Sequence, residues 1–462
     1  MDKLVDKISN SIKKILKEQQ LAFSNQTVIL AVSAGPDSMS LLAGFYQLSR
    51  QYDMKLIVAH VDHQLRPDSA AEYRLLREYC VARDITVLNK QWPIAEHPPK
   101  GLEASAREFR YSFFTELMRK YNASFIATAH HADDLLENIL MKLIRSGDLR
   151  EMTSPRAVVR QQERIVVRPL MGFSKKELLD YCQVNRIPFI VDETNQRDFT
   201  MRNRVRHHLV PLLKGENSQI LQNALFMQEQ VAQLDGLASS LVKRIPQPEL
   251  LGKWHRGLFV GPRDALSDLE TAQQALVYEK LIARYLQKSV KVDAKRLARL
   301  AKIDGGQVLE LKQQVKLVVT RQHYFLVDAA QLELLLQTLP KHIAVDKQFV
   351  VGGDVFVVTK NKAALPNHIL LGTFYAGETK TFGIRQVQPG DKVRLSDGAH
   401  QLVKKRFAPQ GIPASVRNYF WGLTDEETRD YLWIDCAYTN QVIPKNSCHY
   451  AIYQVLKNSK EK

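Results

Sequence analysis

The sequence predicts an α/β fold, because short apolar segments alternate with helical patterns along its first half. The predicted strands are 27–32, 55–61, 85–92 and 124–129. The helical patterns are 38–52, 69–83, 102–121 and 133–146. This alternation is typical of βαβ units around a buried parallel sheet, in which ligands bind beyond the carboxyl ends of the strands. Polar motifs follow these strand ends, so we expect the functional site at that edge.

The rest of the chain predicts further domains. A chain of 462 residues is long enough for roughly three domains. Helical patterns at 216–241 and 264–287 precede a hairpin pattern at 308–327, and the pattern weakens at 341–379. The expected divisions are an α/β domain (1–215), a mainly helical domain (216–345), a linker region (346–380) and a small α+β domain (381–462).

The charge balance of the chain indicates an anionic partner. Lys and Arg number 65 against 49 Asp and Glu, which gives a formal net charge of +16. Lys and Arg that neutralise phosphates release condensed counterions, although many basic proteins merely stay soluble. We therefore expect a nucleic acid partner.

Cysteine usage and hydropathy argue against several other classes. The four cysteines are scattered without a C-x-x-C pair, which argues against zinc, an iron–sulfur cluster and a disulfide framework. No apolar run is long enough to cross a bilayer, and the N-terminal segment lacks the features of a signal peptide. Its Leu4, Ile8, Ile12 and Leu16 predict an amphipathic helix packed on its own domain. We expect a cytoplasmic protein with no membrane contact.

A small polar loop joins the first predicted strand to the helix that follows. The chain contains neither the Lys-bearing phosphate loop pattern G-x-x-x-x-G-K-[ST] nor, after a strand, G-x-G-x-x-G. Small residues let successive N–H groups converge on an anion before a helix N-terminus. An ordinary turn in which Ser33 or Asp37 caps the helix fits equally well, and a carboxylate at Asp37 suggests a metal ion or a cationic substrate. The loop residues are Ser33, Ala34, Gly35, Pro36, Asp37 and Ser38.

Two further segments hold candidate nucleotide-binding residues. After the second strand, joint metal ligation by Asp62 and His63 is awkward because a strand points them to opposite faces. Lining of a nucleotide pocket by Asp62, His63 and Arg66 is favoured instead. On the third predicted helix, Arg107 and Arg110 either clamp phosphates or form a solvated charged face.

The densest set of titratable groups begins the fourth predicted helix, within TAHHADDLLENILMKLIR. A rotation of about 100° per residue places His130, Asp134 and Glu137 in one sector beside an apolar stripe. A helix N-terminus needs only one acid as a dipole partner. We therefore expect metal binding, general base catalysis or recognition of an ammonium group here. The predicted buried stripe is Leu136, Ile139, Leu140, Leu143 and Ile144.

A basic segment follows the predicted sheet. Arg202, Arg204 and Arg206 alternate with Asn203 and Val205 before two histidines. These arginines either contact phosphate or an RNA backbone, or they form a solvated helix face.

Taken in order, these segments resemble the tRNA(Ile)-lysidine synthases, a family of the PP-loop ATP pyrophosphatase superfamily. The loop matches S-G-G-x-D-S with Ala34 at the first glycine, and residues 60–66 match H-V-[DN]-H-x-L-R. The other matches are A-R-x-x-R-Y (106–111), T-A-H-H-x-D-D (128–134), D-x-[ST]-N (192–195), R-N-x-[IV]-R (202–206) and the C-terminal segments 389–395 and 404–417. One such motif would be weak, whereas an ordered set across almost the whole chain is specific.

The resemblance implies a defined fold and reaction. The first division, 1–215, would be a PP-loop ATP-binding catalytic domain of the adenine nucleotide α-hydrolase-like type, and 216–345 and 381–462 would bind tRNA. ATP would activate the 2-carbonyl of the wobble cytidine in an isoleucine tRNA with a CAU anticodon, giving an adenylated base and pyrophosphate. The ε-amine of free lysine would then displace AMP and leave lysidine. The oligomeric state stays open, a homodimer included.

The resemblance also implies roles for single residues. Asp37 would hold Mg²⁺ or lysine, Arg110 would stabilise charge on the phosphate, and His130 would assist proton transfer or contact phosphate. Asp134 and Glu137 would bind the lysine amine. ATP contacts are implied for the six loop residues and for His60, Asp62 and Arg107.

Two loop residues depart from the family pattern. Ala34 costs about 1–2 kcal/mol if its backbone must be left-handed, and Pro36 has no N–H to donate to phosphate. Among competing interpretations, a tRNA thiolation enzyme would need cysteines, and a GMP-synthetase-like amidotransferase would need a glutaminase domain. A non-catalytic tRNA-binding protein would not need Asp37, Arg110 or His130.

Overall fold

The computed structural model shows two compact units, 1–234 and 235–462. The described residues are 2–64, 69–99, 101–161, 164–191, 198, 200–251, 257–300, 306–360, 367–378, 381–443 and 447–456. Leu65, Arg66 and the motif at 192–195 lie outside them. Among the described residues, no helix is long and apolar enough to span a membrane.

The first unit is built on a six-stranded sheet in the order β3-β2-β1-β4-β6-β5. All neighbours run parallel except β5, which pairs antiparallel with β6. The strands are β1 (Thr27–Ala31), β2 (Lys55–Asp62), β3 (Thr86–Gln91), β4 (Phe125–Ala127), β5 (Val158–Gln161) and β6 (Arg164–Val167). The chain order reverses between β1 and β4, so the carboxyl ends of these two strands form the edge where ligands are expected.

Helices connect these strands and bury the sheet. They are α1 (Asp2–Glu18), α2 (Pro36–Tyr52), α3 (Ser69–Val81), α4 (Leu102–Tyr121), α5 (Ala132–Arg145), α6 (Leu149–Met152), α7 (Lys175–Val184), α8 (Met201–Arg204) and α9 (Val210–Glu216), with a π-helix at Val205–Leu209 between the last two. The predicted α/β class with a parallel sheet is therefore confirmed. Residues Ile8, Ile12 and Leu16 of α1 are buried in the core of this unit, as the amphipathic pattern predicts.

The apolar stripe predicted on α5 is only partly buried. Leu136 and Ile139 are buried, whereas Leu143 and Ile144 are 59% and 61% exposed. The start of α5 packs on a cluster that includes Val205, and its last turn lies outside that cluster. Periodicity gives the direction of an apolar face but not how much of its length is covered, so this part of the prediction was wrong.

The second unit combines helices with antiparallel sheets. Its helices are α10 (Ile220–Arg244, which begins in the first unit), α11 (Thr271–Tyr285), α12 (Ala294–Leu300), α13 (Ala329–Gln337) and α14 (Lys404–Phe407). A five-stranded sheet in the order β7-β8-β11-β10-β9 consists of β7 (Glu249–Leu250), β8 (Leu258–Pro262), β9 (Gln307–Glu310), β10 (Val315–Val319) and β11 (His323–Asp328). The strands β10 and β11 form the hairpin that the sequence predicts at 308–327.

The remaining strands form the C-terminal sheets. They are β12 (His342–Ala344), β13 (Gln348–Val351), β14 (Asp354–Thr359), β15 (His368–Gly377), β16 (Thr381–Gln386), β17 (Lys392–Arg394), β18 (His400–Leu402), β19 (Trp421–Thr424), β20 (Tyr431–Ile434), β21 (Tyr438–Thr439) and β22 (Ser447–Val455). The segment 346–380, expected as a linker region, contains β13, β14 and β15, which join β22 in one sheet. Glycines and short alternations weaken the strand pattern there. The other domain boundaries stay predictions.

Close packing of α1 on α2 supplies the first testable prediction. A Cβ at Gly44 would lie 2.6 Å from Cγ2 of Ile8 and 2.8 Å from Cδ1 of Ile12. We expect Gly44→Val to lower the free energy of unfolding by about 1–3 kcal/mol through overpacking. Gly215→Val is the matched control, because nothing lies within 4 Å of the Cβ position at Gly215. Equal urea denaturation midpoints for the two variants would contradict this packing.

Candidate active site

The loop after β1 is closed by the hydroxyl of its last residue. Ser38 Oγ donates a hydrogen bond to the carbonyl of Gly35 at 2.9 Å and accepts one from the backbone N–H of Ser33 at 3.2 Å. These two bonds curl the loop in front of α2, whose first residue is Pro36. Proline suits the first helical position because the N–H it lacks has no partner within the helix. The loop therefore presents a compact N-terminal helix end at the carboxyl edge of the sheet.

Ala34 has a left-handed backbone. Its φ is +61°, its side chain is fully buried, and its carbonyl accepts a hydrogen bond from the N–H of Ile190 at 2.9 Å. A non-glycine residue in this conformation costs about 1–2 kcal/mol. The sequence departure at Ala34 is thus a strained position that the surrounding core holds in place.

Neither the backbone conformation nor the packing at position 35 requires glycine. The backbone of Gly35 is extended, with φ −74° and ψ 163°, which any residue adopts. A Cβ there would meet only Ser33 Oγ at 3.9 Å. The open space at Gly35 faces a helix N-terminus, where unpaired N–H groups and the helix dipole attract anions. These features fit a phosphate group better than an ordinary turn.

Asp37 carries an oxygen without a partner. Its Oδ1 is buried and has no hydrogen-bond partner among the described residues, while Oδ2 lies 3.5 Å from Nε2 of His131. No group of three or more His, Cys, Asp or Glu side chains within the described residues is arranged to hold a metal ion. Mg²⁺ commonly uses one or two carboxylates together with substrate phosphates. The free oxygen of Asp37 fits such a shared role.

His131 is the centre of an acidic cluster that sequence reasoning missed. Its Nε2 lies 3.5 Å from Asp37 and 3.6 Å from Asp134, and its Nδ1 lies 3.8 Å from Asp133. Burial opposes the imidazolium, but Asp134, Asp37 and Asp133 outweigh it and raise the pKa of His131 above its ordinary value. His131 therefore joins the phosphate-loop carboxylate to the carboxylates of α5. The T-A-H-H pattern contained this residue, but no local signal separates it from His130.

Asp134 and Glu137 both contact the basic segment. Asp134 Oδ2 accepts the backbone N–H of His131 at 3.1 Å, and Oδ1 lies 3.6 Å from Arg206. Burial opposes its charge, but His131 and His130 lower the pKa of Asp134. Glu137 is 1% exposed, and its two oxygens accept Nε and a terminal nitrogen of Arg206 at 2.6 and 2.9 Å. The sector predicted on α5 therefore exists, with Glu137 engaged by a bidentate arginine.

The basic segment turns two of its arginines inward. Arg202 donates to Glu103 at 2.9 Å and lies 3.7 Å from Glu137, and Arg206 lies on the π-helix that follows α8. Arg204 is exposed and donates to a backbone carbonyl of its own segment. Of the two interpretations of this segment, neither describes Arg206, which contacts the carboxylates of α5 rather than solvent or a ligand.

His130 is neutral in this environment. Its Nδ1 shares a hydrogen bond with Oγ1 of Thr128 at 2.8 Å. Burial, together with the positive charges of Arg168 and Arg107, lowers the pKa of His130 despite the opposing effect of Asp134. An imidazole with so low a pKa stays neutral and serves as a hydrogen-bond partner rather than as an effective base.

The strand-end residues His60 and Asp62 are buried and engaged by the protein itself. Nδ1 of His60 lies 2.9 Å from the carbonyl of Val32. Asp62 accepts the backbone N–H of Gln64 at 2.9 Å and the side chain of Gln91 at 3.4 Å. These contacts shape the edge beside the phosphate loop, and direct ATP contacts of the two residues stay a prediction.

The two arginines of α4 differ in their surroundings. Arg110 is partly buried, and its Nε has no hydrogen-bond partner among the described residues. Burial lowers the pKa of Arg110. Arg107 is exposed and lies 4.7 Å from the ring centre of Tyr111. Arg110 is therefore the better placed of the two to meet a phosphate at the sheet edge.

The strain at Ala34 leads to a prediction about stability. Glycine would relieve about 1–2 kcal/mol of left-handed strain but would lose about 0.8 kcal/mol of methyl burial and about 0.4–1 kcal/mol through a freer unfolded chain. We expect the unfolding free energy of Ala34→Gly to lie within about 1 kcal/mol of the wild type, on these opposing terms. Ala34→Val adds a branched side chain in the same conformation and should be clearly less stable. Urea denaturation tests both, and a stabilised Ala34→Val variant would contradict the left-handed assignment.

His63 leads to a prediction about pH. Burial and the charge of Arg110 lower its pKa from 6.5 to about 4. The folded state thus binds this proton more weakly than the unfolded state, so stability falls as the pH falls from 6.5 towards 4. We expect His63→Gln to lose less stability than the wild type between pH 7 and pH 4.5, measured as urea midpoints. Parallel losses in the two proteins would show that His63 is not responsible.

Comparison with known proteins shows the family of this chain. The PP-loop domain profile matches residues 4–213. The chain is 35% identical to a tRNA(Ile)-lysidine synthase of Lactobacillus gasseri and 34% identical to one of Lactobacillus johnsonii, over 94% of this chain and 97% of each relative. A tRNA(Ile)-lysidine synthase of Enterococcus faecalis is 30% identical with the same coverage. This chain therefore belongs to the tRNA(Ile)-lysidine synthase family, and residues 4–213 form its PP-loop domain.

Proposed function

We propose that the residues gathered at the carboxyl edge of the sheet carry out the family's reaction. The chain is an ATP-using ligase that forms lysidine on tRNA(Ile) from free lysine. The reaction passes through a wobble cytidine adenylated at its 2-carbonyl oxygen, and it releases pyrophosphate and then AMP. The observation that supports this most strongly is the side-by-side placement of an anion-binding loop and a carboxylate cluster, joined through Asp37 and His131 at 3.5 Å.

The phosphate loop would hold the pyrophosphate end of ATP. Ser33, Gly35 and Ser38 provide small side chains and a helix N-terminus, and the open space at Gly35 leaves room for a phosphate oxygen. Pro36 cannot donate a backbone hydrogen bond. The contacts therefore fall to the N–H groups of the other loop residues and to the hydroxyls.

Arg110 and His130 would act at the α-phosphate. A guanidinium that is already desolvated gives strong electrostatic stabilisation to charge that develops on the transferring group. The cytidine oxygen attacks phosphorus, and the bond to the bridging oxygen of pyrophosphate breaks. The neutral His130 contacts the bound nucleotide through Nε2, because Nδ1 is engaged by Thr128.

Asp134 would receive the ammonium group of lysine. It keeps its charge because positive groups lower its pKa, and a carboxylate in a buried site binds an ammonium group strongly. Glu137 was expected to share this role, but its two oxygens contact Arg206. We assign Glu137 to the positioning of Arg206 beside Asp134. The amine must lose a proton before it attacks the 2-carbon.

Mg²⁺ would be held by Asp37 together with phosphate oxygens of ATP. The buried oxygen of Asp37 without a partner fits such an ion. When bound, the ion supplies neutralisation of phosphate charge. The formal charge of +16 is complementary to an RNA substrate. We place the reaction in the cytoplasm, where tRNA and free lysine are both present.

The proposed role of Asp134 affects the attack of lysine but not the adenylation of the cytidine. We expect Asp134→Asn to keep its affinity for an isoleucine CAU tRNA and to release pyrophosphate in the presence of that tRNA. Its KM for lysine should rise at least about 30-fold, because one partner of a buried charge pair is worth 2 kcal/mol or more. Incorporation of radiolabelled lysine into the tRNA measures this step.

Glu151→Gln is the matched control. Glu151 lies on α6, is exposed, and contacts Lys142 of α5, the helix that carries Asp134. This variant should behave like the wild type. A tRNA affinity that falls in proportion to lysine transfer in Asp134→Asn would contradict the proposed lysine site. Wild-type protein that binds the tRNA but transfers no label would overturn the proposed reaction itself.

A further inference from the structure

A shallow depression lies beside the first half of α4. Its lining comes from α4 and from the first residue of β6. The lining residues are Ala104, Arg107, Glu108, Tyr111, Ser112 and Arg164. The mechanism above uses none of these side chains. Two arginines lie around one aromatic ring, and one carboxylate, that of Glu108, also lines the depression.

Tyr111 is the structural centre of the depression. The guanidinium carbons of Arg107 and Arg164 each lie 4.7 Å from the centre of its ring. Its hydroxyl interacts with Arg168, whose pKa is lowered by burial although Tyr111 opposes that effect. One tyrosine thus contacts three guanidinium groups, two through the face of its ring and one through its hydroxyl.

Positive charge accumulates around this ring. Arg107 lowers the pKa of both Arg110 and Arg168, after the larger effect of burial. Arg168 is 4% exposed, and its Nε has no hydrogen-bond partner within the described part of the chain. The nearby Glu103 accepts from Arg202. Guanidinium groups that repel one another are stabilised by a bound anion.

The depression adjoins the reaction site. Arg168 and Arg107 are close enough to His130 to lower its pKa. Arg107 is nevertheless exposed and Arg164 partly exposed, whereas the phosphate loop and Arg110 already serve the phosphates of ATP. We therefore expect an anion bound at Arg107 to lie near His130.

We propose that Arg107, Tyr111 and Arg164 bind a backbone phosphate of the single-stranded RNA beside the target nucleotide. Guanidinium groups bind phosphate oxygens in a fixed fork geometry, and proteins commonly combine such groups with an aromatic ring to hold unpaired nucleotides. The proposal rests on the proposed function, because it assumes that a nucleotide of tRNA enters the site. It assigns the outer arginines to RNA and not to ATP, unlike the sequence-based expectation for Arg107.

The test uses Arg164→Gln in the full-length enzyme. Arg164 has no assigned contact with ATP or lysine, so the KM values for both should stay unchanged. The KM for tRNA should rise several-fold. Loss of one phosphate contact should also reduce the slope of log affinity against log salt by about 0.9 or less. Arg164→Lys keeps the charge and should restore most of this slope.

Arg83→Gln is the matched control. Arg83 also lies over a tyrosine ring, 3.7 Å from the centre of Tyr79, but it precedes β3 and so lies at the amino edge of the sheet. Its salt dependence should equal that of the wild type. Melting temperatures of all variants check that they fold.

Three results would overturn the proposal. A raised KM for ATP with unchanged tRNA affinity in Arg164→Gln would assign the surface to the nucleotide. An unchanged KM and salt slope for tRNA, in an enzyme that still forms lysidine, would remove the phosphate site and leave the proposed function intact. An equal loss of tRNA affinity in Arg83→Gln would show that net charge alone matters. Absence of lysidine formation by the wild type would instead contradict the proposed function.

Discussion

The contact of His131 with carboxylates from two helices is the interaction on which the site depends. Asp37 comes from the start of α2, and Asp133 and Asp134 come from the start of α5. Buried like charges repel, so three carboxylates this close are stable only around a positive centre. His131, whose pKa these carboxylates raise, contacts all three, and Lys214 and Arg206 add positive charge at Asp133 and Asp134. His131 also fixes the distance between the phosphate loop after β1 and the helix after β4.

This pattern of alternating charge continues across the site. Arg206 lies between Asp134 and Glu137, and Arg202 follows between Glu137 and Glu103. The contacts hold the segment at 200–209 against α5. They leave Asp134 partly exposed between His131 and Arg206. The same electrostatic arrangement therefore holds the starts of α2 and α5 and the segment at 200–209 together.

Local sequence patterns predicted the parallel sheet, its helices and the placement of polar motifs at one edge. These features depend on hydrophobic periodicity and on turns of small residues, and both can be recognised from a few neighbouring residues. The sequence indicated what a left-handed backbone at Ala34 would cost, but not whether Ala34 adopts that conformation. The role of His131 was missed, since its partner Asp37 is distant in the chain. Arg206 was expected to contact phosphate, an RNA backbone or solvent, because its partner Glu137 is distant in the chain and no local signal indicates their contact. Exposure of Ile144 likewise depends on tertiary packing.

The protonation state of His131 tests the central claim most directly. Nitrogen NMR of protein labelled at histidine nitrogens reports both ring atoms, and loss of a signal in His131→Gln assigns it. We expect a pKa of His131 above 6.5, so that the imidazolium predominates at pH 6.5, and we expect this pKa to fall in Asp37→Asn. A neutral His131 ring at pH 6.5, or a titration unchanged by Asp37→Asn, would contradict this expectation.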